Sequence, residues 1–118
     1  MTYAIIVVLI IGFVLIARRS QKGIEQMTTT ELKERLNESH IQLVDVRTEG
    51  EFKGRKIKKA KNMPLHELGK NLNYLRKDEL VIVICQSGVR SRKAAAMLKK
   101  AGFNNVANVK GGMNAWSG

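Results

Sequence analysis

Cysteine, acidic residues and aromatic residues are all scarce in this chain of 118 residues. Cys85 is the only cysteine, which excludes an internal disulfide and fits a reducing compartment. Aromatic residues make up 5% of the sequence, so the core must be aliphatic, as in a parallel sheet covered by helices. The 10 acidic residues stand against 21 Lys and Arg, and the net charge of +11 predicts attraction to an anion: acidic lipid, nucleic acid or a small substrate. The length allows one ordinary domain.

The N-terminal segment contains no charge from Tyr3 to Ala17, and nearly all of its residues are large and apolar. A helical span needs roughly 17–25 such residues, so this run lies near the lower limit. It lacks the basic start and the small-x-small cleavage site of a signal peptide, and it lacks the polar face of a core helix. We therefore expect a transmembrane anchor over residues 1–19. Basic residues follow at positions 18, 19 and 22, and the positive-inside rule then predicts a single-pass membrane protein whose remaining chain faces the cytoplasm.

Beyond residue 22 the sequence alternates between short apolar runs and segments with helical spacing. Thr28 followed by Glu31 predicts a helix start with a capping box. The continuous apolar run from Glu79 to Ile84 is typical of a strand buried on both faces in the middle of a parallel sheet. We predict an α/β domain over residues 23–118, with a central, mostly parallel sheet flanked by helices. Strands are expected at 23–27, 41–46, 60–65, 79–84 and 105–111, and helices at 27–39, 48–54, 66–75 and 90–101.

Cys85 stands where the strongest strand ends, and a helix-like pattern runs from Arg90 to Ala101. A loop between a central strand and a helix lies at the carboxyl edge of the sheet, where ligands usually bind. Amide groups and the dipole at the helix start stabilise a thiolate, so we expect the pKa of this thiol to be lowered. Gly88 can take a positive φ, and successive amides of the loop can form an anion-binding nest closed by the charge of Arg90. A buried structural cysteine is the alternative.

The segment Cys85-Gln-Ser-Gly-Val-Arg-Ser91 resembles the active-site loop of rhodanese-domain sulfurtransferases. Leu43–Arg47, followed by Glu51-Phe52, is similar to the family's strand ending in Asp-x-Arg. Ile57–Leu65 resembles its His-Ile-x-Gly-Ala-x-Asn-x-Pro segment, and Val109–Trp116 resembles its closing Gly-Gly-x-x-x-Trp signature. The four motifs occur in the family's order, and the resemblance extends over roughly Gly23 to Gly118.

The resemblance implies a rhodanese-like α/β fold and sulfur transfer through a persulfide. Cys85 would be the nucleophile, taking a sulfane sulfur from a small anionic donor such as thiosulfate and passing it to cyanide or a thiol. A protein persulfide is a further candidate donor or acceptor, and no cofactor is implied. Asp45 and Arg47 are expected to form a structural ion pair, with Ser91 as a further supporting residue. The substrate-binding residues are expected to be Gln86, Ser87, Gly88, Val89 and Arg90.

Two other classes remain open. Phosphatases and arsenate reductases that resemble rhodaneses have a Cys-x5-Arg loop, whereas the sixth residue after Cys85 is Ser91, so the shorter loop favours sulfur. A non-catalytic binding module tethered at the membrane is the second alternative, although such modules usually lack the cysteine. A metal site is not expected, because one Cys and the widely separated His40 and His66 do not form a ligand set.

The stretch from Lys53 to Lys61 holds six cations and no acid. It is either the solvated face of a basic protein or a contact for acidic lipid, a sulfur-carrier protein or an anionic donor. Nucleic acid is not expected, because no aromatic residues interleave with the charges. Within the stretch, Lys56-Ile-Lys-Lys59 replaces the family's His-Ile-x-Gly, so that a Lys stands where the family usually has Gly.

Overall fold

The computed structural model describes residues 2–118, without the side chains of residues 15–22. The strands are β1 (Ile24–Met27), β2 (Ile41–Asp45), β3 (Lys61–Asn62), β4 (Leu80–Ile84) and β5 (Val106–Val109). The α-helices are α1 (Thr2–Lys22), α2 (Thr29–Arg35), α3 (Glu49–Gly54), α4 (Val89–Lys100) and α5 (Gly112–Ala115). Two short 3-10 helices, Leu65–Lys70 and Leu72–Tyr74, connect β3 to β4.

The five strands form one sheet in the order β1-β5-β4-β2-β3, and every neighbouring pair is parallel. The central strand is β4, the strand with the strongest apolar run in the sequence. Its residues Val81 to Ile84 have no exposed surface, because helices cover both faces of the sheet. The α/β fold predicted from the sequence, with a central parallel sheet flanked by helices, is therefore confirmed.

Side-chain alternation along β4 divides the core into two layers. Val81 and Val83 pack on the side of α4, in a cluster that includes Ala95 and Leu98. Ile82 and Ile84 face the opposite side, where α2 and the C-terminal segment cover them with residues that include Leu32, Met113 and Trp116. The two faces are therefore sealed by different helices, and the carboxyl ends of the strands are left for the loops.

Side-chain caps specify the starts of two helices, α2 and α3. The hydroxyl of Thr28 accepts a hydrogen bond from the amide of Glu31 at 3.1 Å and begins α2. Thr48 and Glu51 form a reciprocal capping box at the start of α3.

One predicted helix takes a different form. Residues 66–75 were expected to form one helix, but this region contains the two 3-10 helices, which meet at Asn71. Gly69 and the asparagines in this segment propagate an α-helix poorly, and short 3-10 turns suffice to bury Leu68.

The N-terminal helix α1 exposes its large apolar side chains from Tyr3 to Val14, by 40% to 83%. Within residues 2–118 as the structure describes them, no helix is long and apolar enough to cross a membrane. The transmembrane anchor predicted over residues 1–19 is therefore not supported, and the side chains of its last residues lie outside the described part.

Candidate active site

The thiol lies at the carboxyl end of the central strand, between β4 and α4. Residues 85–88 curl through a tight loop, and Gly88 takes a φ of 103°, a left-handed conformation that favours glycine. The helix α4 begins at the next residue, so its first amides point toward the loop. This is the edge of a parallel sheet at which ligands usually bind.

The sulfur of Cys85 is held by two groups of this loop. The amide of Gly88 donates a hydrogen bond to Sγ at 3.0 Å, and the hydroxyl of Ser91 lies 3.3 Å from Sγ. Burial disfavours the thiolate, but hydrogen bonds from the Ser91 hydroxyl and from the amides of Ser91, Gly88 and Ser87 outweigh it and hold the pKa of the Cys85 thiol below its usual value. The expected acidification of the thiol is thus present, and Ser91 contributes the largest stabilising hydrogen bond.

Cys85 itself has no exposed surface. A donor can therefore reach the sulfur only when the loop or the side chains above it shift. Val89, the first residue of α4, is 65% exposed.

The short helix α5 supports the thiol loop through backbone hydrogen bonds. The amide of Met113 donates to the carbonyl of Cys85 at 2.8 Å, and the amide of Asn114 donates to the carbonyl of Gln86 at 2.9 Å. Gly112 makes this approach possible: its φ is 56°, and a Cβ at this position would overlap the carbonyl oxygen of Cys85. The Gly-Gly pair of the closing motif therefore positions the thiol loop.

Asp45 and Arg47 form a buried ion pair, with Nη2 of Arg47 at 2.8 Å from Oδ2 of Asp45. Arg47 also donates from Nη1 to Oε1 of Gln86 at 3.2 Å. The Nε2 of Gln86 in turn donates to Oδ1 of Asn114 at 2.6 Å. The ion pair expected at the end of β2 is present, and it reaches the thiol loop through Gln86.

The guanidinium of Arg90 is paired with a carboxylate that was not among the predicted site residues. Its Nη1 and Nη2 donate to the two oxygens of Glu51 at 2.6 and 2.9 Å. This bidentate contact with Arg90 is the main reason that the pKa of Glu51 is lowered to about 2. Arg90 was expected to help bind an anionic donor. In this structure a donor has to share Arg90 with Glu51 or displace Glu51.

The predicted loop residues lie in the loop that follows β4 and in the first turn of α4. The residues are Cys85, Gln86, Ser87, Gly88, Val89, Arg90 and Ser91. Sequence reasoning missed Glu51, Asn114 and Arg55. Arg55 donates to the carbonyls of Met113 and Trp116 and so ties the end of the chain to α3. The only local signal for Glu51 was its place in the Glu-Phe motif, and Arg55 was counted with the basic stretch.

Several cations of the basic stretch Lys53–Lys61 have partners inside the domain. Lys59 donates from Nζ to the carbonyl of Leu36, and Lys53 lies 2.9 Å from the carboxylate of Glu49. The ammonium of Lys56 lies over the ring of Phe52. Part of the stretch is therefore structural. Among the side chains that the structure describes, no group of three His, Cys, Asp or Glu lies close enough to hold a metal ion.

Comparison with known proteins agrees with this geometry. The rhodanese-like domain family matches residues 28–118. The chain is 42% identical over 91 residues to the uncharacterized protein YqhL of Bacillus subtilis, covering 77% of this chain and 72% of that protein. It is 35% identical over 91 residues to the thiosulfate sulfurtransferase GlpE of Glaesserella parasuis, covering 77% of this chain and 84% of that protein.

A solved structure gives the same result. The crystal structure of a rhodanese-like domain protein from Staphylococcus aureus superposes with a TM-score of 0.74 at 41% identity, covering 79% of this chain and 91% of that one. The fold, the thiol loop and the match over most of the chain define one class of protein: the chain belongs to the rhodanese-like domain family.

Proposed function

We propose that the protein moves a sulfane sulfur from a donor such as thiosulfate to cyanide or a thiol through a persulfide on Cys85. The chain is a rhodanese-type sulfurtransferase, as its relatives named for that activity are. The observation that carries the proposal is the position of Sγ, 3.0 Å from the amide of Gly88 and 3.3 Å from the hydroxyl of Ser91, at the start of α4. These groups stabilise a thiolate, which is the nucleophilic form of cysteine.

The reaction has two displacements. In the first, the thiolate of Cys85 attacks the outer sulfur of thiosulfate, the S–S bond of thiosulfate breaks, and sulfite leaves with the bonding electron pair. The enzyme then carries a cysteine persulfide. In the second, cyanide or a thiolate attacks the outer sulfur of the persulfide, the new S–S bond breaks, and the Cys85 thiolate is regenerated. No oxidant or reductant is needed, and the product is thiocyanate or a new persulfide.

The residues of the site have different roles in this reaction. The amides of Ser87, Gly88 and Ser91 donate hydrogen bonds toward the thiol and would hold the anionic end of the donor and the terminal sulfur of the persulfide. Arg90 supplies the cation for the donor, and Glu51 offsets part of that charge. Asp45 and Arg47, which are buried, position the loop through Gln86 and do not reach the substrate.

Phosphate chemistry is the less favoured alternative. A phosphatase of this architecture uses an arginine at the sixth position after the cysteine, and here that position is Ser91, which is buried and lies against Sγ. Arg90 is one residue earlier and is held by Glu51. A binding module without catalysis remains the second alternative, and it requires that Cys85 take up no sulfur.

The cellular location and the bounds of the N-terminal segment and of the domain are proposed from the sequence. We propose that residues 1–19 attach the protein to a membrane and that residues 23–118 form the domain on the cytoplasmic side. The uncharged run and the exposed apolar side chains of α1 support this. Fractionated cells are expected to hold the protein in the membrane pellet. Recovery in the soluble fraction would contradict it.

The activity is tested by thiocyanate formation from thiosulfate and cyanide. The wild type is expected to turn over, and Cys85→Ser is expected to lose all activity because serine forms no persulfide. Ser39→Ala, which alters an exposed side chain outside the thiol loop, is the control and should stay active. Activity retained by Cys85→Ser, or hydrolysis of p-nitrophenyl phosphate in place of thiocyanate formation, would contradict the proposal.

A further inference from the structure

The carboxylate of Glu51 lies beside the thiol loop and is held there from two sides. Arg90 donates to its two oxygens at 2.6 and 2.9 Å. The amide and the hydroxyl of Thr48, the cap of α3, each donate to Oε1 at 3.1 Å. The carboxylate is thus anchored to the start of α3 as well as to Arg90, and it forms a negative charge at a fixed position.

Glu51 is the carboxylate of the site that a donor meets. No Asp or Glu occurs from Leu80 to Gly118, the part of the sequence that holds the thiol loop and α4. Asp45 is fully buried, and its charge is matched by Arg47 at 2.8 Å. The side chain of Glu51 is 33% exposed, so its charge acts on molecules that approach the loop.

Glu51 also changes the charge that Arg90 offers to a donor. The hydrogen bonds to Glu51 are the main cause that raises the pKa of Arg90, and the negative charge of the Cys85 thiolate contributes to the same shift. The guanidinium is therefore close enough to interact with charge at the thiol. Because Glu51 offsets this cation, a donor at the loop meets an ion pair instead of a free positive charge. Arg92 lies near the loop as well, but it is exposed to solvent, which screens its charge.

We infer that Glu51 is a specificity-determining residue that disfavours dianionic sulfur donors, and that the site prefers a persulfide as its donor. This inference rests on the proposed sulfur transfer and names the class of donor for it. The reacting end of a persulfide carries at most one negative charge, whereas thiosulfate carries two. Repulsion by a fixed carboxylate is proportional to the charge of the donor, so thiosulfate is a substrate but a slow one.

Donation by a persulfide balances without an oxidant or a reductant. The thiolate of Cys85 attacks the outer sulfur of the donor R–S–SH, and the S–S bond of the donor breaks. The thiolate R–S⁻ leaves with the bonding electron pair, and the outer sulfur with its proton is now bound to Cys85.

Two donors with the same reacting bond and different charges test the role of Glu51. Thiosulfate is a dianion and the methanethiosulfonate ion, CH3SO2S⁻, is a monoanion, and each transfers its outer sulfur with loss of sulfite or methanesulfinate. Intact-mass spectrometry of the full 118-residue chain gives the second-order rate constant for loading one sulfur onto Cys85. Glu51→Gln is expected to raise this constant about tenfold with thiosulfate and about threefold with methanethiosulfonate, the effect of one charge about 6 Å away in water.

The ratio of the two rate constants, thiosulfate over methanethiosulfonate, is the decisive readout, because the folded fraction of a variant cancels in it. It should rise about threefold in Glu51→Gln. Glu49→Gln is the control: it removes a carboxylate of the same helix that is 72% exposed and paired with Lys53, and it should leave the ratio unchanged. An unchanged ratio in Glu51→Gln, or an equal rise in Glu49→Gln, overturns the inference and leaves the proposed sulfur transfer intact.

The preference for a persulfide is tested with cysteine persulfide as the donor. The wild type should be loaded at least about tenfold faster by cysteine persulfide than by thiosulfate at the same concentration. Equal or faster loading by thiosulfate would overturn the preference. If none of the three donors loads the wild type, the proposed sulfur transfer fails, and the inference that rests on it fails as well.

Discussion

Replacing Glu51 with Gln removes the negative charge from the mouth of the thiol loop and keeps the shape of the side chain. The carboxylate binds both Nη atoms of Arg90, and its pKa falls from the usual 4.5 to about 2. A shift of this size corresponds to about 3 kcal/mol of stability in an unscreened site. The two side chains are 33% and 35% exposed, so screening by solvent reduces the contribution to about 1–2 kcal/mol.

The pH dependence follows from the sign of the shift. The folded-state pKa lies below the unfolded value, so the ion pair stabilises the protein fully above about pH 4.5 and its contribution disappears as the pH falls toward 2. Glu51→Gln is therefore expected to lower the free energy of unfolding by about 1–2 kcal/mol at pH 7 and to match the wild type near pH 2. Gln still accepts the capping hydrogen bond of α3, so the difference reports the charge.

Urea unfolding at a series of pH values measures this difference. Glu49→Gln is the matched control, because Glu49 lies in the same helix and its partner Lys53 is 73% exposed, so its loss should cost less than about 0.5 kcal/mol. The same Glu51→Gln variant leaves Arg90 without its carboxylate and should lower the KM for thiosulfate. Equal stability of variant and wild type at pH 7, or a difference that does not change with pH, would refute the reasoning.

Three further substitutions test the supports of the site. Ser91→Ala removes the strongest hydrogen bond to the thiolate, so the pKa of the Cys85 thiol should rise. The rising limb of the pH–rate profile should therefore move to higher pH, and kcat/KM at pH 7 should fall about tenfold. A pH–rate profile that does not move would contradict this. Asp45→Asn leaves Arg47 as a buried charge without its carboxylate and should cost about 3–5 kcal/mol in urea unfolding, whereas a cost below 1 kcal/mol would mean that the pair is not structural. Gly112→Ala places a Cβ against the loop carbonyl at a positive φ and should cost about 1–3 kcal/mol and reduce sulfur transfer, while Gly54→Ala meets open space and should do neither; equal effects of the two would contradict the packing argument.

Features that depend on neighbouring residues were predictable from the sequence. The apolar run of β4 indicated the centre of a parallel sheet, Thr28 indicated the start of α2, and Gly88 indicated a left-handed turn. These signals lie within a few residues of the structure that they specify. The Asp45–Arg47 pair was expected from the family resemblance and is present.

Contacts between distant parts of the chain were not predictable in this way. Glu51 and Arg90 are 39 residues apart, and Arg55 reaches a carbonyl 58 residues away at Met113. The residues next to Glu51 or Arg55 in the sequence do not indicate these partners, because only the fold brings the partners together. The buried amide of Asn108 escaped notice for the same reason, since only the pairing of β1 with β5 brings it beside Gln26.

The central claim is that Cys85 carries sulfur, and intact-mass spectrometry of the 118-residue protein after thiosulfate tests it most directly. The wild type is expected to gain the mass of one sulfur atom, to lose it again when cyanide is added, and to form thiocyanate. Cys85→Ser is expected to gain nothing. If the wild type gains no sulfur from thiosulfate or from a protein persulfide, the account of Cys85 as a sulfur-transfer nucleophile is wrong.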